Sequence, residues 1–331
     1  IMNNYKPWQS YPLISSQLSQ VNDYLLKTIK APIPSLQSAL LTMANSGGKY
    51  LRPTILILSA RSCGKKELAN SPKIIKLATS IEILHMATLI HDDVIDDSDK
   101  RRGNISIQAR FGKDVAVYAG DLLFTNFFDL MLETIDEHEF LVKNAQTMRR
   151  ILNGELGQMG QRFNINQSFD DYLKDIKGKT AALFSLASEE GAHFAGGDFD
   201  QVQLMADFGQ NLGIAFQMID DILDYAGGKK LNKPTLEDLA TGVYSLPILL
   251  ALSHDNLRLR LDPILAKKRE MTLEDIDQIQ EIILSSNTIE ESRAIAEQFS
   301  QKAVNNLKEL PSNKAVKLLK KMSQELLSRT L

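Results

Sequence analysis

Between Pro72 and Pro234 the chain contains no proline, and across that stretch apolar residues recur at helical spacing. Proline inside a helix removes a hydrogen bond and kinks the axis, so so long a proline-free segment predicts an all-helical core. The one compact β-prone run, Thr54 to Leu58, continues a helix that begins after Pro53. The expected fold class is all-α, a single helical bundle, although 331 residues alone would allow two domains. No linker or composition shift marks a boundary, so residues 1–331 read as one domain. Residues 1–30 form an N-terminal helical extension, and residues 255–331, charged and amphipathic, form surface helices. Breaks are expected at Gly103-Asn104, Gly196-Gly197-Asp198, Gly227-Gly228 and Pro311-Ser312. Capping boxes are expected at Ser168 to Asp171, Thr272 to Asp275 and Thr288 to Glu291, which assigns Asp170 and Asp171 to a helix start.

Two aspartate clusters of identical spacing lie inside the proline-free stretch: Asp92-Asp93-Val94-Ile95-Asp96 and Asp220-Asp221-Ile222-Leu223-Asp224. Each follows a mostly apolar run, where unpaired carboxylates are costly to hold together. Aspartate is also a poor helix former, so two such triplets demand compensation. Aspartates at i and i+4 share a helix face, and oxygen-only donors suit a hard divalent ion that keeps water and shares phosphate oxygens. The pattern reads as magnesium-dependent diphosphate chemistry.

The net charge of -3 gives no electrostatic case for binding nucleic acid. Cys63 is the only cysteine, so no intrachain disulfide is available, and it reads as a small buried residue. No apolar run is read as a transmembrane segment, and the polar start Met2 to Ser10 is unlike a signal peptide, so a soluble, cytoplasmic protein is expected. The positive charge that matters is local. Lys49 and Arg52 stand three apart in Gly47-Gly48-Lys49-Tyr50-Leu51-Arg52-Pro53, Arg101-Arg102-Gly103 follows the first cluster, and Lys179-Thr180 and Lys233-Pro234 lie in the second half. Beside two carboxylate motifs these cations read as a pair of diphosphate sites, with arginine forks matched to phosphate geometry.

Taken in order, Gly47 to Pro53, Leu84-His85, Leu89 to Ser98 with Arg101-Arg102-Gly103, Gly120 to Phe124, Gly154-Glu155, Lys179-Thr180 and Phe216 to Asp224 resemble the trans-isoprenyl (polyprenyl) diphosphate synthases. The resemblance spans roughly residues 45 to 250. It implies a bundle around a deep central cavity, the isoprenoid synthase or class I terpenoid synthase-like fold. It also implies head-to-tail condensation of isopentenyl diphosphate with an allylic diphosphate, farnesyl or geranylgeranyl diphosphate, giving a long-chain all-trans product for a quinone side chain. About three Mg²⁺ ions per active site are implied, with Mn²⁺ able to substitute. Asp92, Asp96, Asp220 and Asp224 would bind metal, with Asp93 and Asp221 completing the shell directly or through water. Lys49, Arg52, His85 and Arg102 would hold isopentenyl diphosphate, and Arg101, Lys179 and Lys233 the allylic diphosphate. The Thr180 carbonyl and the Gln217 amide oxygen would face the allylic cation.

Three positions depart from the family pattern: Tyr50 and Val243 stand where basic residues are common, and Asn232 where glycine is common. Short-chain relatives carry aromatics one helical turn before the first cluster, whereas Ala87 and Thr88 stand here, with Leu84 a turn deeper. Ala87 is accordingly expected to line the channel for a growing chain. The resemblance also implies a homodimer, with Phe124, Phe127 and Phe128 as candidates for the contact or the cavity floor. Other readings are a geranylgeranyl diphosphate synthase, one subunit of a heteromeric synthase, and, from Glu82/His85 and Glu190/His193, a di-iron bundle. Replacing Asp92 or Asp220 with Ala should slow turnover about a thousandfold, equivalent to about 4 kcal/mol of barrier. Steady-state rates near normal for both variants at saturating Mg²⁺ would remove the metal assignment.

Overall fold

The structure, a computed structural model, describes residues 7–45, 49–227 and 236–329. Gly47, Gly48, Gly228, Asn232, Lys233 and Pro234 lie outside the described residues. The first half contains α1 (Ser15–Thr28), α2 (Pro34–Asn45), α3 (Leu51–Cys63), α4 (Lys66–Ala69), α5 (Pro72–Ile95), β1 (Lys100–Arg101), β2 (Asn104–Ile105), α6 (Ile107–Phe111), α7 (Lys113–Thr134) and α8 (His138–Gly160). There follow α9 (Phe169–Ile176), a π-helical turn (Lys177–Ala181), α10 (Ala182–Phe194), α11 (Phe199–Ala226), α12 (Glu237–Ala240), α13 (Leu246–Leu252) and α14 (Asp255–Leu265). The chain continues through α15 (Leu273–Ser285), α16 (Thr288–Lys308) and α17 (Lys314–Leu327).

The fold is thus nearly all-α, as its proline distribution predicts. Among the described residues the exception is the β1–β2 hairpin, which pairs Lys100 with Ile105 and Arg101 with Asn104. Its two-residue loop has φ of 52° at Arg102 and 78° at Gly103, the double left-handed conformation of a type I′ turn. Strands of two residues are too short to show the alternation by which a strand is recognised.

By its internal contacts the chain divides into two compact units, 1–144 with 186–205 and 310–319, and 145–185 with 206–309 and 320–331. In the first, α5 packs on α1, α3 and α7. Pro72 pre-sets its first turn, and its buried residues, among them Ile74, Ile75, Leu77, Ile83 and Met86, surround the axis. Both α5 and α7 are long and apolar enough to cross a membrane by length and composition, contrary to the expectation from sequence. For α5 the reason is core burial, since 72% of its apolar window lies inside the protein. The corresponding share for α7 is 39%, and Val117, Tyr118, Phe128 and Leu132 are exposed on it. Phe127 is buried, and Phe124 lies against the His91 ring at 5.3 Å. Gly120 lets His91 sit close on α7, where its Nε2 is 3.0 Å from the Val117 carbonyl and 3.2 Å from Asp121 Oδ1.

In the second unit, α13 carries Pro247 in its first turn and is buried among α9, α14, α15 and α16. Ser168 and Thr272 form the expected capping boxes at α9 and α15. The box expected at Thr288 does not form. Asn287 precedes α16, and the Thr288 hydroxyl turns back to the Ile283 carbonyl and Ser286. Those contacts close the short α15–α16 connection, which takes the hydroxyl away from the capping position.

One buried carboxyl in the first unit couples its packing to pH. Glu190 on α10 accepts a hydrogen bond from Asn144 on α8, and burial pushes its carboxyl up to about 8, with Glu189 adding to the rise while Asn144 and Lys143 oppose it. Folding therefore retains a proton that the unfolded chain loses near pH 4.5. Stability should fall as pH rises through this window, by roughly 1.4 kcal/mol per pH unit at most. Denaturation midpoints at about pH 5.5 and about pH 8.5 test this: Glu190→Gln should show a much smaller drop than the parent protein, and equal drops would contradict the assignment.

Candidate functional site

At the start of α3, Lys49 is exposed and Tyr50 is buried with a left-handed φ of 47°. The Tyr50 hydroxyl donates to the Ala44 carbonyl at 2.8 Å and accepts from Asn22, so this departure from the family pattern ties the turn into α3. One turn on, Arg52 Nη1 lies 3.2 Å from His85 Nε2 on α5. Burial, then the charges of Arg52, Arg102 and Arg101, hold the His85 imidazole well below its ordinary range and hence neutral. A neutral ring nitrogen can accept from the guanidinium, which has only donors.

Three residues before His85, the buried Glu82 carboxylate lies 3.5 Å from Arg102 Nη2, and Arg102 Nη1 donates to the Met43 carbonyl at 2.9 Å. Burial raises the Glu82 carboxyl, and Arg102 and then Arg52 oppose that rise. Arg52, His85 and Arg102 are thus brought together around one internal counter-ion, with Arg102 carried there by the tip of the hairpin. The di-iron reading fails at this point. Glu82 faces arginines, Glu190 faces Asn144, and His193 pairs with Glu137 at 2.7 Å while stacking on Phe140.

The aspartates of each cluster divide the same way. Asp93 is buried and held by Arg101, whose Nη2 is 2.6 Å and Nε 3.1 Å from its oxygens. Asp92 is half-buried and Asp96 exposed, and with His85, Thr88 and Leu89 they form one accessible stripe along α5. Ala87 and Leu84 are not on that stripe; both are fully buried. Of the three chain-length candidates only Thr88 reaches the open face, its hydroxyl donating to the His85 carbonyl at 2.6 Å.

On α11, in the second unit, Asp221 is buried, accepting from the Tyr172 hydroxyl and from Gln217 Nε2 at 3.0 Å. Burial pushes its carboxyl up to about 7, against those two hydrogen bonds. The Gln217 amide oxygen accepts from the Thr180 hydroxyl at 2.7 Å, so the group expected to face an allylic cation is engaged within the protein. Asp220 and Asp224 are half-buried, and Asp220 Oδ1 lies 2.9 Å from Arg329 Nη1. Lys179 sits in the π-helical turn, 3.1 Å from Gln158 and 4.0 Å from Glu155 of α8. Gly154 and Gly178 permit this, because a side chain at either would strike the facing backbone. Lys233 lies outside the described residues. Tyr172, Arg329 and the counter-ion role of Glu82 are not marked by any spacing in the sequence.

Asp92 with Asp96, and Asp220 with Asp224, are oxygen donors one helical turn apart and fit Mg²⁺, which takes one or two carboxylates and completes its shell with water and phosphate. Among the described residues no group of three His, Cys, Asp or Glu is placed to hold a metal.

Comparison with known proteins agrees with this chemistry. The polyprenyl synthetase family profile matches residues 33–283. The heptaprenyl diphosphate synthase component 2 of Bacillus subtilis is 33% identical over 315 residues, 95% of this chain and 88% of that protein. The crystal structure of geranylgeranyl pyrophosphate synthase from Lactobacillus brevis superposes with a TM-score of 0.90 at 39% identity, covering 97% of this chain and 99% of that one. Heptaprenyl diphosphate synthase from Staphylococcus aureus gives a TM-score of 0.90 at 32% identity, covering 96% and 99%. The chain belongs to the polyprenyl synthetase family and is a prenyltransferase of the prenyl diphosphate synthase class.

Proposed function

We propose that the protein uses Mg²⁺ to condense isopentenyl diphosphate with an allylic diphosphate, repeatedly, to a long-chain all-trans polyprenyl diphosphate that serves as a quinone side chain. The observation that carries this reading is the division of labour within each cluster: a middle carboxylate satisfied by protein, and two accessible carboxylates one turn apart. Bound Mg²⁺ would supply Lewis acidity and charge neutralisation at the leaving diphosphate oxygens.

Asp92, Asp96, Asp220 and Asp224 hold the metal in this reading, and Asp93 and Asp221 steady the helix ends that present them. Lys179, Arg101 and Lys233 bind the allylic diphosphate, so that fixed positive charge meets the negative charge developing as the C–O bond ionises. Lys49, Arg52, His85 and Arg102 bind isopentenyl diphosphate, with Glu82 setting the two arginines. The isopentenyl double bond then attacks, and the departing diphosphate takes the proton. The exposed apolar residues of α7 support a homodimer, which this reading sets in the cytoplasm. The designation of the Bacillus relative as component 2 favours a second reading, in which the chain acts with an unlike subunit.

Product length turns on Thr88. No Phe, Tyr or Trp stands with it on the accessible stripe before Asp92, which supports a product longer than geranylgeranyl diphosphate. Purified protein incubated with labelled isopentenyl diphosphate, farnesyl diphosphate and Mg²⁺ should therefore give long chains, and absence of any condensation would refute the function. Thr88→Phe should shorten the product towards farnesyl or geranylgeranyl length, because a ring one turn, about 5.4 Å, from Asp92 blocks about one isoprene unit. Ala87→Phe should instead cost about 1–3 kcal/mol of stability by overpacking. An unchanged product from folded Thr88→Phe would place the growing chain elsewhere.

A further inference from the structure

The chain's C-terminal segment brings a cation to the second aspartate cluster that the chemistry above does not use. Arg329, just beyond α17, sets Nη1 2.9 Å from Asp220 Oδ1, lays its guanidinium 4.5 Å from the centre of the Phe216 ring and donates Nε–H to the Leu326 carbonyl at 2.8 Å. Its Nη2 is buried and has no hydrogen-bond partner. Phe216 and Asp220 are one turn apart on α11, so a single planar group covers both, its face on the ring and its edge on the carboxylate. Beside it opens a cavity of about 440 Å³ lined by Arg329 itself, by Ile219, Ile222 and Leu223 of α11 and by Arg293, Glu297 and Ser300 of α16.

Asp220 is thereby asked to serve two cations. A divalent ion on its carboxylate and a guanidinium at hydrogen-bonding distance from the same group would repel strongly in a partly desolvated site, so the two occupancies exclude one another. The ion pair is open to displacement, because its partners keep 26% and 39% of their side-chain surface exposed, and exposed pairs are weak. The adjoining cavity gives the guanidinium somewhere to go. The unmet Nη2 donor gives it a reason to move towards any acceptor that arrives with the metal.

We propose that Arg329 is an exchangeable counter-ion of the second cluster: it occupies Asp220 when no metal is bound, is displaced by the divalent ion, and so couples the position of the C-terminal segment to metal loading. This rests on the reading of Asp220 as a metal ligand. The predicted consequence is that Arg329 weakens metal binding to the substrate-free protein, by about fivefold for a pair of this exposure.

Mn²⁺ titrations of the full chain without substrate, followed by electron paramagnetic resonance, should show about fivefold tighter binding for Arg329→Gln than for the parent. Hydrogen exchange on the parent should show that Mn²⁺ speeds exchange in residues 320–329. Binding by the parent with no gain in Arg329→Gln, or with the segment's exchange unchanged, would overturn this inference while leaving the metal assignment standing. If neither protein bound Mn²⁺, without or with inorganic diphosphate, the assignment of Asp220 and the inference would fall together.

Discussion

Six carboxylates crowded into two short, largely apolar helix ends are the constraint from which the rest of the site follows. Leaving all six charged and unpartnered would be costly, and the chain meets this differently at different positions. The central member of each triplet is withdrawn from solvent and satisfied internally, Asp93 by the Arg101 fork and Asp221 by Tyr172 and Gln217. The outer members, i and i+4, remain accessible. In the proposed reading a triplet is one structural anchor flanked by two metal ligands, and its spacing follows from the helical turn.

The same economy governs the cations. Arginines in a half-buried setting repel one another unless a counter-charge holds them, and Glu82 provides it between Arg52 and Arg102. His85 stays neutral there, so it adds a hydrogen-bonding group without another charge. Backbone devices deliver these side chains: the type I′ turn carries Arg102, and the π-helical turn, packed through Gly154 and Gly178, carries Lys179. π-Helical turns inside α-helical chains frequently mark functional positions, because the extra residue re-aims the side chains around it.

Much of this was legible in the sequence. Proline distribution predicted the helices, two of the three expected capping boxes form, and the repeated aspartate spacing put the first and last member of each triplet on one helix face. What escaped detection depends on contacts between residues far apart in the chain. Tyr172 and Asp221 are 49 positions apart, and no local pattern marks Tyr172 as the donor to a buried carboxylate. Glu82 enters the sequence reading only through the rival di-iron motif, because its spacing to His85 fits one, and only the arginines folded against it reveal a counter-ion. The β1–β2 hairpin was too short to read, yet it is what turns Arg102 towards α5.

The most direct test of this account is a crystal structure with Mn²⁺ and inorganic diphosphate, with the metals located by anomalous scattering. The account predicts Mn²⁺ at about 2.1–2.2 Å from oxygens of Asp92, Asp96, Asp220 or Asp224, with the Arg101–Asp93 and Tyr172–Asp221 contacts retained. Mn²⁺ bound directly by Asp93 or Asp221, with those contacts broken, would contradict it.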